Sequence, residues 1–359
     1  MSKRTIIPFG PQHPVLPEPV HLDLVIEDER VIEAIPSIGY IHRGLEKLVE
    51  KREFTEMVYV IERVCGICSF GHGWGYCRAV EGNMGIEVPE RAEFLRTIWH
   101  ELSRIHSHLL WLGLLADGFG FESLFMHSWR LRETILDILE KTTGGRVIFS
   151  VCKVGGVRKD VLNEDLKEIV TILDGIKKEL TELSNVFLSD YSVKNRLVGV
   201  GVLSKAEATE LCAVGPMARA SGIPLDIRMD GHSAYGKLDF EPITEVDGDC
   251  YARCKVRLRE VFQSIDMIGQ AVSAIPDGEL AVPVKGSPTG EFVARMEQPR
   301  GEAYYYSIGN GSKFLERIRV RTPTNMNIPA MVKTLQGCEL ADVPMLILTI
   351  DPCISCTER

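Results

Sequence analysis

Residues 63–72 read Arg-Val-Cys-Gly-Ile-Cys-Ser-Phe-Gly-His, and residues 351–356 read Asp-Pro-Cys-Ile-Ser-Cys. Each stretch contains a Cys-x-x-Cys pair: Cys65 with Cys68, and Cys353 with Cys356. If the fold brings these pairs together, four thiols form a soft, electron-rich site for a transition metal. The second pair stands three residues from the end of the 359-residue chain, where a chain normally frays. We therefore expect a bound metal to hold that segment in place.

Several kinds of site are compatible with the two cysteine pairs alone. Tetrahedral zinc is the commonest ion held by two such pairs. Zinc ribbons, however, separate their pairs by roughly 15 to 20 residues, whereas about 285 residues separate these. A redox dithiol is a second possibility, although neither pair lies in a βαβ pattern. An iron–sulfur or other redox metal site and a set of inert core thiols complete the alternatives.

Two other side chains favour a reactive metal over a structural one. His72 lies four residues after Cys68, so on a helical turn its ring can donate a hydrogen bond to that sulfur without being a ligand. Arg300 stands between Pro299 and Gly301, which places its guanidinium rigidly. Such a planar fork suits diatomic anions bound to a metal better than it suits a structural zinc.

The composition restricts the partners and the compartment. A net charge of -9 and a pI near 5.6 argue against a nucleic-acid partner, which would need a basic face. No apolar run approaches the roughly 20 residues of a membrane-spanning helix. The N-terminal residues lack the pattern of a secretory signal, so we expect a cytoplasmic chain. There, the cysteines outside the two pairs are expected to be free core thiols.

Hydrophobic periodicity predicts an α+β fold dominated by helices. One domain is expected over 1–359, with a β-rich segment at 1–40, a helical body at 44–275 and a mixed segment at 276–359 that carries the second cysteine pair. Helices are predicted over 90–116, 128–141, 162–187, 205–220, 249–274 and 328–335. Strands are predicted over 20–26, 31–35, 303–309, 314–321 and 345–350. The result is a central bundle of long helices with a small β-containing part formed by the N- and C-terminal regions.

Motifs along nearly the whole chain complete a family resemblance. Beside the two cysteine stretches, they are Phe-Gly-Pro-Gln-His-Pro at 9–14, Gly-Tyr-Ile-His-Arg-Gly-Leu-Glu at 39–46, Val-Gly-Pro-Met-Ala-Arg-Ala-Ser-Gly at 214–222 and Gly-Asp-Cys-Tyr-Ala-Arg at 248–253. With them the chain resembles the large, catalytic subunit of NiFe hydrogenases. Within that family it resembles the energy-converting, membrane-bound, Ech-type group that is related to respiratory complex I.

The resemblance implies a nickel ion together with an Fe(CN)2(CO) unit, both held by the four cysteines. Cys65 and Cys353 would be terminal nickel ligands, and Cys68 and Cys356 would bridge nickel to iron. Cys353 would also be a catalytic group, since a terminal thiolate can take the proton when H2 splits heterolytically. Arg300 would lie over the open face of the metals as the second catalytic group.

The resemblance also assigns residues around the metals. Pro323 and Thr324 match the segment that hydrogen-bonds a cyanide, and Thr349 and Asp351 would surround the C-terminal pair. Glu18 occupies the segment that in the family supplies a glutamate beside a terminal cysteine. A half-buried carboxyl there can relay protons; the alternative is a solvated loop residue between two prolines.

A second metal site is a weaker implication. Glu46 resembles a ligand of a second metal, Mg or Fe, in this family, or else is an ordinary charge on a helix face. The family commonly has a ligating His where this chain has Arg359, whose side chain cannot bind a metal. His13 and His42 belong to the same motifs and are expected to be structural hydrogen-bonding residues.

The resemblance implies partners as well. The expected ones are a hydrogenase small subunit with a 4Fe-4S cluster, a ferredoxin-like iron–sulfur subunit, integral-membrane ion-translocating subunits and maturation proteins. The chain would dock peripherally on the cytoplasmic side of the membrane. Two alternatives stay open: a quinone-reacting electron-transfer subunit of complex I type, whose members lack both cysteine pairs, and a zinc-stapled structural subunit.

Overall fold

A computed structural model describes residues 4–359. The helices are α1 (Leu45–Val49), α2 (Val58–Ile61), α3 (Ser69–Met84), α4 (Glu90–Gly118), α5 (Glu122–Thr143), α6 (Asn163–Ser189), α7 (Tyr191–Leu197), α8 (Lys205–Glu210), α9 (Gly215–Arg219), α10 (Cys250–Ala274), α11 (Pro323–Leu335), α12 (Val343–Thr349) and α13 (Ile354–Thr357). The strands are β1 (Thr5–Phe9), β2 (His21–Glu27), β3 (Arg30–Ser37), β4 (Cys152–Lys153), β5 (Gly156–Val157), β6 (Thr289–Gln298), β7 (Gly301–Asn310) and β8 (Leu315–Arg321). The predicted α+β, helix-dominated fold is confirmed.

Four long helices form the centre of the molecule. Helix α4 packs against α5 on one side and α10 on the other, and α6 covers α5 and α10. Nearly every residue of α4 is buried, including Trp99 and Trp111, because neighbours surround it on all sides. No helix within residues 4–359 combines the length and the apolar character needed to cross a membrane.

The strands form separate antiparallel sheets. One has the order β1-β2-β3, a second the order β6-β7-β8, and β4 pairs with β5 as a short ribbon. The N-terminal sheet meets the C-terminal region through β3, where Val31 N donates to Cys338 O at 2.9 Å. The N- and C-terminal regions thus each contribute a sheet of their own.

Alternating glycines let α3 lie close to the β6–β7 hairpin. A Cβ on Gly71 would stand 2.4 Å from the Gln298 side chain, and one on Gly75 would stand 2.2 Å from the Tyr305 ring. Real Cβ atoms do not approach other atoms so closely, so only glycine fits at these positions. The hairpin turn that carries Arg300 is thereby brought beside the N-terminal end of α3, where the first cysteine pair lies.

Two predicted elements are wrong in detail. Residues 345–350 were expected as a buried strand but form helix α12, since a short apolar run fits either structure and Pro344 suits the first turn of a helix. The single helix predicted over 205–220 is broken into α8 and α9, with Cys212 and Gly215 at positive φ between them. Strand β6 and the N-terminal strand β1 were not predicted.

Candidate metal centre

The fold brings the four cysteines of the two motifs together. Cys65 Sγ lies 3.3 Å from Cys353 Sγ, and Cys68 Sγ lies 3.4 Å from Cys356 Sγ. All four side chains are buried in a small apolar cluster of their own. The sulfurs of Cys65, Cys68 and Cys356 all lie within 4.8 Å of one another. Each close pair therefore joins one cysteine from near the start of the chain to one from near its end.

Local structure positions the first pair. The 3-10 turn Glu62–Val64 ends at Cys65, whose backbone is extended, and Cys68 is the residue that precedes α3. Cys68 N lies 3.5 Å from Cys65 Sγ, so the sulfur faces the start of the helix. Hydrogen bonds from the other three thiols hold the pKa of Cys68 well below its usual range, and the positive end of the helix dipole also favours a thiolate there.

The second pair is fixed by neighbours on α11. Cys353 N donates to Thr324 Oγ1 at 3.1 Å, and Thr322 Oγ1 donates to Cys356 O at 3.0 Å. Pro323 opens α11 between these two threonines. The predicted Pro323-Thr324 segment thus lies against the cysteine site, with Thr324 bound to the backbone of Cys353.

Arg300 is buried beside the site with its charge fixed. It is 4% exposed, and its Nε and one terminal nitrogen donate to Asp351 O at 2.9 Å and to Asp351 Oδ1 at 2.7 Å. The other terminal nitrogen has a single long contact, 3.5 Å to Ser107 Oγ. Burial raises the pKa of Asp351; its Oδ2 is buried with no hydrogen-bond partner within residues 4–359. Both groups therefore have hydrogen-bonding capacity left for a bound group.

His72 contacts a different sulfur from the one predicted. Its Nε2 lies 3.3 Å from Cys356 Sγ, while its contact with Cys68 is the backbone bond from His72 N to Cys68 O. The His72 ring therefore faces the C-terminal cysteine pair instead of the sulfur of Cys68. The other ring nitrogen, Nδ1, lies 2.8 Å from Tyr305 Oη, a residue that the sequence analysis missed.

Glu18 reaches the second cysteine segment from the N-terminal region. Its carboxylate accepts hydrogen bonds from Ser355 N at 2.9 Å and from Ser355 Oγ. Ser355 stands between Cys353 and Cys356, and Glu18 is half-buried. The structure thus places the predicted carboxyl next to the cysteine segment, bound to Ser355.

Three other predicted residues are engaged by protein groups. Glu46 accepts from Val320 N at 2.9 Å and pairs with Arg359 at 3.0 Å and Arg317 at 3.2 Å. The Thr349 hydroxyl accepts from Arg253 at 3.2 Å and donates to Leu346 O at 3.0 Å. His42 Nδ1 lies 2.8 Å from Glu358 O, in accord with the structural role expected for it.

Arg43 is a second residue that the sequence analysis missed. Its guanidinium donates to Arg63 O at 2.8 Å, Val64 O at 2.7 Å and Ser355 O at 3.1 Å. It therefore ties the backbones of both cysteine segments together. Its place in the motif at 39–46 marked it as part of a pattern, but nothing in that pattern showed which carbonyl groups it would meet.

The donor set fits a soft transition metal. Four thiols converge, one of them is disposed to be a thiolate, and a permanently charged guanidinium stands beside them. Thiolates select nickel, zinc, copper(I) and iron–sulfur centres over hard cations such as magnesium. The cysteines are thus suited to hold a metal, and Arg300 and Asp351 are suited to groups bound to it.

Two known protein-family models match different parts of the chain. Residues 43–116 match the family model described as "Nickel-dependent hydrogenase". Residues 118–285 and 283–359 match the one described as "Respiratory-chain NADH dehydrogenase, 49 Kd subunit". The first match contains the N-terminal cysteine pair, and the second contains Arg300 and the C-terminal pair.

Individual relatives cover the chain almost completely. Membrane-bound hydrogenase subunit alpha of Pyrococcus furiosus is 39% identical over 98% of this chain and 87% of its own length. Carbon monoxide-induced hydrogenase of Rhodospirillum rubrum is 38% identical over 100% of both chains. A subunit of the NADH-quinone oxidoreductase of Chloroherpeton thalassium is 34% identical over 98% of this chain and 87% of its own.

A solved structure shows the same fold. A chain of the membrane-bound sulfane sulfur reductase, an archaeal respiratory membrane complex, superimposes with a TM-score of 0.94 at 30% identity, covering 99% of this chain and 98% of that one. The fold thus defines a large subunit of the class shared by hydrogenases and complex I. Within that class, the chain belongs to the NiFe hydrogenase large-subunit family, in its membrane-bound, complex I-related group.

Proposed function

We propose that this chain is the catalytic subunit of a membrane-associated NiFe hydrogenase that interconverts H2 with protons and electrons. The observation that carries the proposal is the convergence of four cysteine sulfurs, in two close pairs, next to the buried guanidinium of Arg300. A metal-free electron-transfer subunit has no use for four converging thiols.

The four cysteines would hold nickel and an Fe(CN)2(CO) unit as two pairs of ligands, Cys65 with Cys353 and Cys68 with Cys356. When bound, this group supplies soft, redox-active metals with an open position at which the H–H bond is polarised. The observed pairing of Cys65 with Cys353 and of Cys68 with Cys356 supports this division of ligands.

Arg300 would provide a fixed positive charge at the open face. Its guanidinium remains protonated at every working pH, and two bonds to Asp351 set its orientation. In a site from which water is excluded, such a preorganised charge stabilises developing negative charge without reorganisation.

Proton transfer would pass from Cys353 towards Glu18. In the direction of H2 oxidation, a terminal thiolate accepts one proton, and a neighbouring carboxylate then takes it towards solvent. The Glu18 carboxylate is held by Ser355, two residues from Cys353. A glutamine there would keep an acceptor for Ser355 but could not carry a proton.

Electrons must leave through a partner. Within residues 4–359, the cysteine site is the one cluster of three or more potential metal ligands. A small subunit with a 4Fe-4S cluster and a ferredoxin-like subunit would therefore take the electrons, and integral-membrane subunits would couple the reaction to ion translocation. Relatives named as membrane-bound complexes support peripheral docking at the membrane, for which we propose the cytoplasmic side.

The relatives in complex I support one competing function, a quinone-reacting electron-transfer subunit. Infrared spectroscopy of the purified complex, co-expressed with its maturation proteins, separates the two. Metal-bound CO and CN stretches together with stoichiometric nickel are expected. Zinc without such stretches would indicate that the cysteines form a structural site. The absence of any metal would favour the quinone-reacting electron-transfer function.

Cysteine substitutions test the ligand set. Cys65→Ser and Cys353→Ser should each abolish nickel retention in the purified complex, measured by elemental analysis. Cys212→Ser is the matched control, because Cys212 is exposed and lies outside the cluster. Nickel retained at the wild-type level in Cys65→Ser would contradict the ligand assignment.

A further inference from the structure

A chain of hydrogen bonds runs from the metal site into the β6–β7 hairpin. Cys356 Sγ lies 3.3 Å from His72 Nε2, and His72 Nδ1 lies 2.8 Å from Tyr305 Oη. Tyr305 Oη in turn lies 3.2 Å from Gln298 Nε2. His72 and Tyr305 are fully buried and Gln298 is 1% exposed, so water does not compete for these bonds.

The direction of these bonds follows from the chemistry of the groups. An amide NH2 can only donate, so the phenol oxygen accepts from Gln298. The Tyr305 proton has two acceptors in reach, His72 Nδ1 at 2.8 Å and Gly71 O at 3.4 Å. The shorter distance assigns it to Nδ1, which accepts it as the unprotonated nitrogen. A neutral imidazole carries a single N–H, which in this case is on Nε2 and points at the Cys356 sulfur.

The glycines of α3 make room for these two side chains in particular. A Cβ on Gly75 would stand 2.2 Å from Tyr305 Cε2, and a Cβ on Gly71 would stand 2.4 Å from Gln298 Oε1. The sequence Gly-His-Gly-Trp-Gly at 71–75 thus admits the phenol and the amide on the face of the helix next to His72. The phenol has no other partner within 3.5 Å besides a 3.4 Å contact to Gly71 O.

We infer that Tyr305 is a positioning residue for the metal centre, which fixes His72 as a hydrogen-bond donor to the bridging sulfur of Cys356. The inference rests on the proposed NiFe centre. A sulfur that accepts a hydrogen bond donates less electron density to its metals. Tyr305 therefore tunes the electron density of the centre through His72, without touching the metals.

The test is infrared spectroscopy of the complex that carries Tyr305→Phe. Without the phenol proton, the His72 proton is no longer confined to Nε2, so more electron density reaches the iron. The CO and CN stretches are expected to shift to lower wavenumber at unchanged nickel content. Tyr306→Phe is the matched control, because Tyr306 is the next residue on β7 and its hydroxyl contacts the exposed Glu291 of β6, away from His72.

A double-mutant cycle separates this role from simple packing. In a His72→Gln background, Tyr305→Phe should shift the bands no further, because the effect passes through His72. Equal shifts in both backgrounds, or none in Tyr305→Phe, would overturn the inference while the proposed function stands. Wild-type complex without CO and CN bands would overturn both.

A second variant serves if Tyr305→Phe does not acquire its metals. Gln298→Met leaves the phenol in place but removes the amide that directs its proton. The bands should then shift in the same direction by a smaller amount. Unchanged CO and CN bands in this variant would contradict the role of Gln298 in directing the Tyr305 proton to His72.

Discussion

The close packing of α3 against the hairpin can be tested with Gly75→Ala. The added methyl would meet Tyr305 Cε2 at 2.2 Å, more than 1 Å inside ordinary contact distance, which is about 3.5 Å for two carbons. The ring cannot yield easily, because Tyr305 is fully buried and its hydroxyl lies 2.8 Å from His72 Nδ1. We therefore expect the variant to be destabilised although alanine favours helix.

The magnitude follows from opposing contributions. Overpacking of a tight core costs about 1–3 kcal/mol, and a weakened buried hydrogen bond to His72 adds about 1 kcal/mol. The better helix propensity of alanine stabilises the variant by about 1 kcal/mol. The net loss in the free energy of unfolding is about 2 kcal/mol. With an unfolding entropy of about 2.1 cal/mol/K per residue, this lowers the melting temperature of the 359-residue chain by about 3 °C.

The assay is thermal unfolding of the purified chain, followed by circular dichroism. Gly269→Ala in α10 is the control, because a Cβ there meets no atom within 4 Å; it should raise the melting temperature by about 1 °C. If both variants melt at or above the wild-type temperature, the glycine is not needed for the approach of Tyr305. The steric reasoning would then be refuted.

Three further outcomes are expected. Arg300→Lys should lower H2/D+ exchange at least tenfold, about 1.4 kcal/mol in barrier, at wild-type nickel content, because an ammonium cannot reproduce the fork on Asp351. Glu18→Gln should slow the same exchange with nickel still bound; undiminished exchange would contradict the relay. Burial raises the pKa of Glu62 from 4.5 to about 7, so its contribution to stability is present below about pH 4.5 and lost as the pH rises through about 7. The melting temperature of Glu62→Gln relative to wild type should therefore rise from pH 5 to pH 8, and a difference that does not change with pH would contradict this reasoning.

The sequence was sufficient to predict that the two cysteine pairs meet at a buried site, because motif and chemistry agree there. The possible chemistry is restricted by the two Cys-x-x-Cys pairs and by an arginine held between Pro299 and Gly301. This restriction holds although the motifs lie far apart in the sequence. The long helices were equally accessible, since apolar stripes of more than twenty residues have one interpretation. Short apolar runs such as 345–350 fit either a strand or a helix, and tertiary packing determines that this run is helical.

The contacts around the four cysteines depend on the tertiary structure and could not be predicted. His72 was expected to reach the sulfur nearest in sequence, whereas the fold offers it Cys356 instead. Nothing local to Tyr305 or Arg43 shows the contacts they make across the chain, because Tyr305 meets His72 at a separation of 233 residues and Arg43 meets Ser355 at a separation of 312. The alternating glycines at 71–75 were the one available sign, since glycines inside a helix indicate close approach of another element.

The C-terminal segment also bears on why the thiols are there. We expected a metal to hold this segment, and protein contacts hold it as well: the Glu358 carboxylate accepts from Gly39 N and Ile41 N, and Arg359 pairs with Glu46. A structural zinc site supplies folding energy that the chain otherwise lacks. Here contacts that involve no sulfur also hold the segment, so a metal at the four thiols would not be its only attachment. Four buried thiols in a segment that is already held in this way are better explained by the chemistry they can support than by the structure they could hold.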